Sequence, residues 1–412
     1  MPSSPPDPEA RADDTSLDLL TGPGATDLLH TALATSGGQL LDWSARQVDH
    51  RPGASTTVSY RAHVKWPDGP RTVTLGASTG LRTLQADVPG MLVLSDGGRQ
   101  VAVWQFPADP GLPSLAAALD QTAMRALLAS YGVQAGPLDL VLRTYRPRRR
   151  AVVEVLGAGL RLFVKVLRPS RAAALHRRHR LLHDAGVPVP RSLGWTNDGM
   201  LVLGALPGRD LRSVLRAGGA APDPDELSAL LDRLPVEVCA LPRRSSWSDN
   251  VGHYAAVVGS ALPQEASRAA LIAAEVEARL DGSAGGDVAT HGDFYETQLL
   301  LKGSRITGLL DVDTAGPGRR ADDLACLVAH SALLAMIEPA HAPATWSLTE
   351  RLAARFGQQV DPVELRTRVA GVLMSLATGP HRVQEPDWPA ATAARLDLAQ
   401  RWLDGVPICP RS

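Results

Sequence analysis

The chain has 412 residues, of which 44% are hydrophobic and 21% charged, and its formal net charge is -1 at pH 7. This length exceeds the roughly 250–300 residues at which one hydrophobic core stops growing, so we expect two or three domains. The charge gives no support for a nucleic-acid partner, and no apolar run approaches the roughly 18 residues that a membrane span needs. Three widely spaced cysteines and a polar start predict a cytoplasmic protein with reduced thiols. We expect it to be a monomer or a homodimer.

The first part of the chain reads as a tail followed by a small domain. Residues 1–25 are rich in Pro, Asp, Ser and Gly, which predicts a disordered tail. Apolar residues at helical spacing predict helices at 26–34 and 113–128. Between them, turns such as Arg-Pro-Gly and Pro-Asp-Gly separate five short predicted strands, at 47–51, 56–66, 71–76, 91–94 and 100–106.

A second β-rich stretch follows, and the rest of the chain is mainly helical. Three antiparallel strands are predicted at 139–145, 151–156 and 160–167, before a basic helix at 170–185 and a strand at 200–205. Beyond them, only residues 298–312 are β-rich. Because strands and helices are segregated, the order favours an α+β protein with two lobes over an alternating βαβ sheet.

The strongest local pattern is His291-Gly-Asp-Phe-Tyr-Glu-Thr-Gln298, followed by a short hairpin and Asp311-Val-Asp313. A hairpin would bring Gln298, Asp311 and Asp313 to one end of a small sheet. Oxygen ligands of this kind suit Mg²⁺, which takes one or two protein carboxylates together with phosphate oxygens and water. Asp293 lies outside this set and could accept the proton of an acceptor hydroxyl, while His291 is expected to anchor the loop.

These residues, with Asp322-Asp-Leu-Ala325, resemble the catalytic loop and metal-binding segment of the aminoglycoside phosphotransferase and choline kinase-like family. The resemblance implies a protein kinase-like fold with ATP and Mg²⁺ as cofactors. It makes Asp293 the catalytic base, Gln298 and Asp311 metal ligands, and Asp323 a structural residue. The family commonly has Asn where this chain has Gln298, and maltokinases and glucosamine kinases are more similar at this position.

The resemblance extends upstream to a nucleotide site. The segment Leu162-Phe-Val-Lys-Val166 is similar to the small-lobe strand whose lysine contacts the nucleotide phosphates, and Lys165 is one of only three lysines in an Arg-rich chain. The stretch 201–208 resembles the hinge, which implies that adenine is received near Leu203, Ala205 and Leu206.

Two features depart from the family pattern. The helix after Lys165 contains no Glu to pair with that lysine. The turn Arg146-Pro-Arg-Arg-Arg150 stands where a Gly-rich loop would lie, so Arg148 is predicted either to contact phosphate or to belong to an exposed turn.

Candidate acceptor residues fall in two places. Tyr295 and Glu296 neighbour the predicted base, and Glu385 and Trp388 place an aromatic ring beside carboxylates, a mixture that suits a sugar. Packing of either aromatic ring is the alternative. For Asp313, a second metal contact and a loop-stabilising carboxylate both stay open.

By its resemblance, the chain divides into a small lobe with hinge at 136–207 and a helical large lobe with the acceptor site at 208–412. Residues 26–135 form an additional N-terminal α+β cap, a layout similar to maltokinases and glucosamine kinases. We expect a small polar, hydroxyl-bearing acceptor, preferably a sugar or amino sugar, because acids of the large lobe are interleaved with Arg whereas polycationic aminoglycosides favour an acidic cleft. An antibiotic phosphotransferase and a regulatory, nucleotide-binding pseudokinase are the alternatives.

Overall fold

The computed structural model describes residues 16–80, 90–96, 99–282 and 286–406. The chain forms two compact units, each assembled from separate segments. The first unit contains Met1–Ala173, Leu193–Leu203 and Pro380–Trp388, and the second contains Ala174–Ser192, Gly204–Gly379 and Pro389–Ser412. The predicted α+β class is confirmed.

An antiparallel five-stranded sheet forms the N-terminal part of the first unit. Its strands are β1 (Gln39–Arg51), β2 (Ser55–Trp66), β3 (Gly69–Ser78), β4 (Met91–Asp96) and β5 (Arg99–Gln105), in the order β1-β2-β3-β5-β4. Helix α1 (Gly24–Ala34) contributes Leu29 and Leu33 to the same buried apolar cluster as Val58 and Tyr60. One β-sheet covered by a helix is the simplest way for both elements to bury their apolar faces.

The prediction of a disordered tail at 1–25 is wrong for the residues from 16 onward. Residues 16–21 are helical, and Leu17 and Leu20 are buried in the core of the first sheet. The carbonyl of Leu20 also accepts a hydrogen bond of 2.6 Å from the hydroxyl of Tyr60. The Pro- and Asp-rich surroundings concealed a short apolar stretch that is sufficient to dock on the sheet, and residues 1–15 lie outside the described part.

A second five-stranded sheet completes the first unit. Its strands are β6 (Asp139–Arg146), β7 (Arg150–Gly157), β8 (Leu160–Leu167), β9 (Ser192–Trp195) and β10 (Met200–Gly204), in the order β6-β7-β8-β10-β9. The three antiparallel strands predicted between 139 and 167 are confirmed. Leu162, Val164 and Val166 are buried on one face of β8, whereas Lys165 alternates to the other face, opposite Val152.

The single helix predicted at 113–128 is two helices, α2 (Leu115–Ala118) and α3 (Gln121–Ser130). Asp120 separates them because its side chain accepts the N–H of Ala123 at 2.7 Å and caps α3. An Asp at this position competes with continuation of the preceding helix, and the apolar spacing alone did not reveal the break. Met124 and Leu128 of α3 are buried against the second sheet.

The second unit is mainly helical and contains two small sheets. Its helices are α5 (Leu211–Arg216), α6 (Pro224–Asp232), α7 (Val251–Ala261), α8 (Ala266–Leu280), α9 (Arg320–Ile337), α10 (Ala342–Phe356) and α11 (Pro362–Ala377). The short α12 (Gly379–Arg382) lies in the first unit from Pro380 onward, and α13 (Trp388–Asp404) lies in the second unit from Pro389 onward. Helix α4 (Pro169–Asp184) begins in the first unit and ends in the second. Strands β11 (Arg209–Asp210), β13 (Leu299–Lys302) and β14 (Arg305–Leu309) form one sheet, and β12 (Val288–Thr290) pairs with β15 (Gly316–Gly318).

Helix α9 runs through the core of the second unit and is buried along most of its length. Among the described residues, no single helix is long and apolar enough to span a membrane. A pair bent by 110°, Arg320–Ile337 with Pro339–Phe356, meets the criteria of length and composition when its members are taken together.

Candidate active site

The predicted catalytic loop is anchored through its main chain by Asp323, at the start of α9. The two carboxylate oxygens of Asp323 accept the N–H groups of His291 and Gly292, each at 2.7 Å. Burial raises the pKa of the Asp323 carboxyl group above its ordinary value. Gly292 has φ +79°, and a Cβ there would lie 2.9 Å from the carbonyl oxygen of Thr314, so the loop needs glycine at this position.

His291 holds the loop with both of its ring nitrogens. Its Nδ1 accepts the N–H of Asp293 at 3.2 Å, and its Nε2 donates to the carbonyl of Leu310 at 2.8 Å. One accepting and one donating nitrogen define a neutral imidazole with the proton on Nε2. His291 is fully buried, and its two bonds, which are the anchoring contacts predicted for it, hold the loop at Asp293.

The hairpin of β13 and β14 brings the predicted metal ligands to neighbouring positions. The N–H of Leu310 donates to the carbonyl of Gln298 at 2.8 Å. Leu310 directly precedes Asp311, so this bond places Asp311 near Gln298. Asp311 adopts a left-handed conformation, φ 53° and ψ 49°, and begins the short helical turn Val312–Thr314. A non-glycine residue in this region is strained, and such strain is concentrated at functional sites.

His291 and Tyr295 both relate Asp293 to Asp311. His291 bonds the N–H of Asp293 and the carbonyl of Leu310, the residue before Asp311, so the two aspartates lie at neighbouring places. Burial, followed by the negative charges of Asp293 and Asp311, raises the pKa of the Tyr295 phenol to about 12. The aromatic ring stacks on that of His330, with centroids 4.1 Å apart, so the packing alternative considered for Tyr295 holds at least on that face.

The donor set fits Mg²⁺ chemically. It combines the carboxylates of Asp311 and Asp313 with the amide oxygen of Gln298, and Mg²⁺ prefers a few protein oxygens completed by phosphate and water. Across the described ranges, no group of three or more His, Cys, Asp or Glu side chains is arranged to hold a metal ion. Metal binding by these three residues stays a prediction.

Glu296, predicted to contact the acceptor, is instead buried in an ion pair. It is 1% exposed, and its Oε1 accepts from Nε and Nη2 of Arg212 on α5, at 2.9 and 2.6 Å. Its Oε2 lies 3.9 Å from Nδ1 of His330, whose pKa is lowered by burial to about 4. A carboxylate so enclosed supports the loop, which argues against the predicted acceptor contact; neither Arg212 nor His330 was identified in the sequence.

The residues predicted for the nucleotide are distributed over both units. Lys165 and Leu203 belong to the first unit, where Leu203 is 3% exposed. Ala205 and Leu206 belong to the second, and a Cβ on Gly308 of β14 would lie 2.8 Å from Cδ1 of Leu206. Their contacts with adenine or phosphate stay predictions.

Arg148 is engaged with the N-terminal part of the first unit. Its Nη1 donates to the hydroxyl of Ser78 at 2.6 Å, and its main-chain N–H donates to Asp109 at 2.8 Å. Asp109 also accepts from the hydroxyl of Tyr145 at 2.7 Å. The predicted alternative of an exposed turn does not describe this residue, because the turn is bonded to the first sheet.

Glu385 and Trp388 lie in Pro380–Trp388, which belongs to the first unit, whereas Asp293 belongs to the second. Trp388 makes an edge contact with His381, with ring centroids 4.7 Å apart. Packing therefore accounts for one side of this tryptophan, and the predicted role of both residues in acceptor binding stays untested.

A family model described as the phosphotransferase enzyme family matches residues 131–370. No curated protein matches the chain. Similar solved structures include a thermostable mutant of aminoglycoside phosphotransferase APH(4)-Ia with ADP and hygromycin B, at 16% identity and a TM-score of 0.47, covering 67% of this chain and 97% of that chain.

Two further structures are similar. Macrolide 2'-phosphotransferase MphH from Brachybacterium faecium is 19% identical, with a TM-score of 0.42, and the match covers 68% of this chain and 98% of that chain. Aminoglycoside phosphotransferase APH(3'')-Id from Streptomyces rimosus is 23% identical, with a TM-score of 0.43, covering 62% and 99% respectively.

Proposed function

Because the chain belongs to the phosphotransferase enzyme family, we propose that it transfers the γ-phosphate of ATP to a hydroxyl of a sugar or amino sugar in a Mg²⁺-dependent reaction. Family membership confirms the predicted small-molecule kinase and its protein kinase-like fold. The nucleotide, the metal, the acceptor and a cytoplasmic location are parts of the proposal.

The observation that carries the proposal is the bridge made by His291, whose two ring nitrogens bond the N–H of Asp293 and the carbonyl of Leu310, the residue before Asp311. Asp293 directly follows the two main-chain N–H groups that Asp323 holds, and Asp311 lies two residues after β14 in a left-handed conformation. Phosphoryl transfer requires mainly alignment and neutralisation of charge, so two carboxylates at fixed places provide what the protein must supply.

In the proposed reaction, Asp293 orients the acceptor hydroxyl and takes its proton as the oxygen attacks the γ-phosphorus. The bond between the γ-phosphorus and the β,γ-bridging oxygen breaks, and ADP leaves with that oxygen. Asp311 and Gln298 would hold Mg²⁺, which when bound neutralises charge on the phosphate groups. Lys165 would contact the nucleotide phosphates, and its place on the alternate face of β8 leaves it outside the apolar core formed by Leu162 and Val164.

Ion pairing within the second unit supports a sugar-type acceptor over a polycationic one. Several of the acids that could attract an aminoglycoside are already paired, as in Asp225 with Arg355 at 2.6 Å, Glu275 with Arg279, and Glu296 with Arg212. Paired acids contribute little attractive field for ammonium groups. An aminoglycoside acceptor nevertheless remains the second candidate within this family.

The test is phosphate transfer from ATP to a panel of sugars, amino sugars and aminoglycosides, with the products identified by mass spectrometry. Asp311→Asn serves as the metal control: it should keep the fold and lose Mg²⁺-dependent transfer. Transfer to aminoglycosides alone would replace the proposed acceptor class, and normal turnover by the folded Asp311→Asn variant would refute the metal assignment.

A further inference from the structure

The turn between β6 and β7 is held in a strained conformation. Arg148, at its tip, has φ +59°, in the left-handed region that favours glycine, and the N–H of Arg149 closes the turn on the carbonyl of Arg146 at 3.0 Å. An arginine in this conformation costs free energy and persists only where its surroundings fix it. Strain of this kind is concentrated at ligand clamps and active sites, so the turn is a candidate functional element.

Asp109 supports the turn from the segment that follows β5. It is 2% exposed, and its carboxylate accepts the main-chain N–H of Arg148 at 2.8 Å, the hydroxyl of Tyr145 at 2.7 Å and the N–H of Gly111 at 2.7 Å. Gly111 itself lies against the turn, since a Cβ there would be 2.8 Å from Cα of Arg148. In addition, Nε of Arg168 donates to the carbonyl of Arg148 at 2.9 Å. Both polar groups of the main chain at Arg148 are therefore bonded.

The donors at the tip of the turn are already used. The N–H of Arg148 is bonded to Asp109, that of Arg149 is bonded within the turn, and proline, at Pro147, carries none. The guanidinium group of Arg148 donates to the hydroxyl of Ser78 at 2.6 Å. A Gly-rich loop binds phosphate through its main-chain N–H groups, so this turn must bind phosphate in another way, through side chains beside the tip.

The arginines that flank the tip, Arg146 and Arg150, are placed for that role. They lie directly opposite each other in the pairing of β6 with β7. Because Ala151 is buried in the core of the second sheet, Arg150 and Val152 project from the opposite face. Val152 pairs with Lys165, so Arg150 and Lys165 share one face, two strand positions or about 7 Å apart along the sheet. Three cations therefore project from this end of the sheet on the same face.

Like charges opposite each other in a strand pair are unfavourable, and an anion between them offsets the repulsion. Guanidinium groups suit phosphate oxygens. We propose that Arg146 and Arg150 bind the nucleotide phosphates on the face that carries Lys165. Asp109 is the residue that positions them, because it fixes the main chain of Arg148 between them. This inference rests on the proposed function and deepens its nucleotide site.

The experiment compares MgAMP-PNP with adenosine by calorimetry on the full-length protein, because only the first probe carries phosphates. Gly111→Ala places a Cβ against the turn, so it should weaken MgAMP-PNP binding at least about tenfold and leave adenosine binding within about twofold. Gly136→Ala is the matched control: a Cβ at Gly136 meets no described atom within 4 Å, and both affinities should stay unchanged. Equal losses for both probes, or an unchanged MgAMP-PNP affinity in folded Gly111→Ala, would overturn the proposal.

Arg150→Gln tests the same site and leaves every residue of the Asp109 contacts in place. It should also lose MgAMP-PNP affinity, as should Asp109→Asn, with melting temperatures showing that each variant is folded when measured. If Asp109 acts through the flanking arginines, the double variant should bind about as weakly as the weaker single variant. Retained affinity in Arg150→Gln, or additive losses in the double variant, would contradict the inference.

Failure of this inference can be told apart from failure of the proposed function. If the variants lose phosphate-dependent affinity but the parent phosphorylates no acceptor, the proposed function fails and the positioning role of Asp109 stands. If the parent transfers phosphate and Arg150→Gln binds MgAMP-PNP as the parent does, the function stands and the positioning role fails.

Discussion

The two sides of Asp293 are supported in different ways. On the N-terminal side, Asp323 accepts two main-chain N–H groups at 2.7 Å, contacts that do not depend on which side chains the loop carries. On the C-terminal side, Glu296 is held by the side chain of Arg212, with neutral His330 beside its second oxygen. The first support fixes the backbone at the base, and the second makes the following turn depend on an ion pair with α5.

The largest expected effect is on Asp293 itself, the residue between the two supports. Asp293→Asn keeps the shape and removes the charge. We expect transfer to slow by at least ~10²-fold, as for other positioned bases, with nucleotide binding nearly unchanged. Calorimetry beside single-turnover transfer measures both, and preserved transfer with lost nucleotide binding would make Asp293 a metal ligand instead.

The side-chain support is broken by Arg212→Met, which leaves the buried carboxylate of Glu296 without its cation. Removing one partner of a buried pair typically costs about 3–5 kcal/mol in the free energy of unfolding. Adding Glu296→Gln should recover part of this loss, because the buried charge is then gone. Urea denaturation of the two single variants and the double variant measures the coupling.

Arg355→Met is the matched control for that experiment, since its pair with Asp225 is exposed, with side chains 44% and 56% accessible. Such pairs contribute about 0–1 kcal/mol. If the double variant is no more stable than Arg212→Met, Arg212 does not act through Glu296.

The main-chain support is tested by Asp323→Asn, in which one amide oxygen must serve the N–H groups of both His291 and Gly292. Leaving one buried donor unbonded costs about 1–3 kcal/mol, and we expect a comparable loss of stability with a lower kcat. Denaturation together with steady-state kinetics checks the prediction. Full activity would show that the loop does not need this anchor.

The smallest expected effect is on the pH dependence of stability, and it involves His330, the neighbour of Glu296. The pKa of His330 is lowered from 6.5 to about 4 on folding, so the unfolded chain binds a proton that the folded chain excludes. At neutral pH, His330 therefore does not destabilise the folded state by binding a proton. As the pH falls from 6.5 towards 4, protonation of His330 in the unfolded chain lowers the free energy of unfolding. His330→Phe keeps an aromatic partner for Tyr295 and should reduce this loss by roughly 1–3 kcal/mol.

Denaturation midpoints at pH 7 and pH 5 measure that change. His381 in the first unit is the internal reference, because burial also lowers its pKa to about 4 and its share of the pH dependence should persist in the variant. An identical pH dependence in parent and His330→Phe would contradict the prediction.

The difference between the supports on the two sides of Asp293 also explains which features the sequence could predict. The catalytic loop and the hairpin after it are local, so their residue types and spacing were sufficient to place Asp293 near Gln298 and Asp311. The strands of the second sheet followed from alternation, as in β8, where apolar and polar residues take opposite faces. Both patterns are formed by residues that lie only a few positions apart in the chain.

The missed features depend on distant pairs. Arg212 lies 84 positions before Glu296, and Arg178, whose Nη1 donates to the main-chain oxygen of Asp313 at 2.7 Å, lies 135 positions before it. In a chain with many arginines, nothing local distinguishes the one that becomes buried beside a given acid. Glu296 was therefore predicted to contact the acceptor because it follows the base closely, although the fold encloses it.

The division of the chain between the two units constrains how the protein can be synthesised and how it can be divided into fragments. The chain passes from one unit to the other five times, at Ala173, Ser192, Leu203, Gly379 and Trp388. Neither unit is therefore encoded by one continuous stretch, and a ribosome must release nearly the whole chain before either has all of its parts. A gene fragment ending before Pro380 would lack pieces of both units, so expression of isolated lobes would require a circularly permuted or spliced gene rather than a simple truncation.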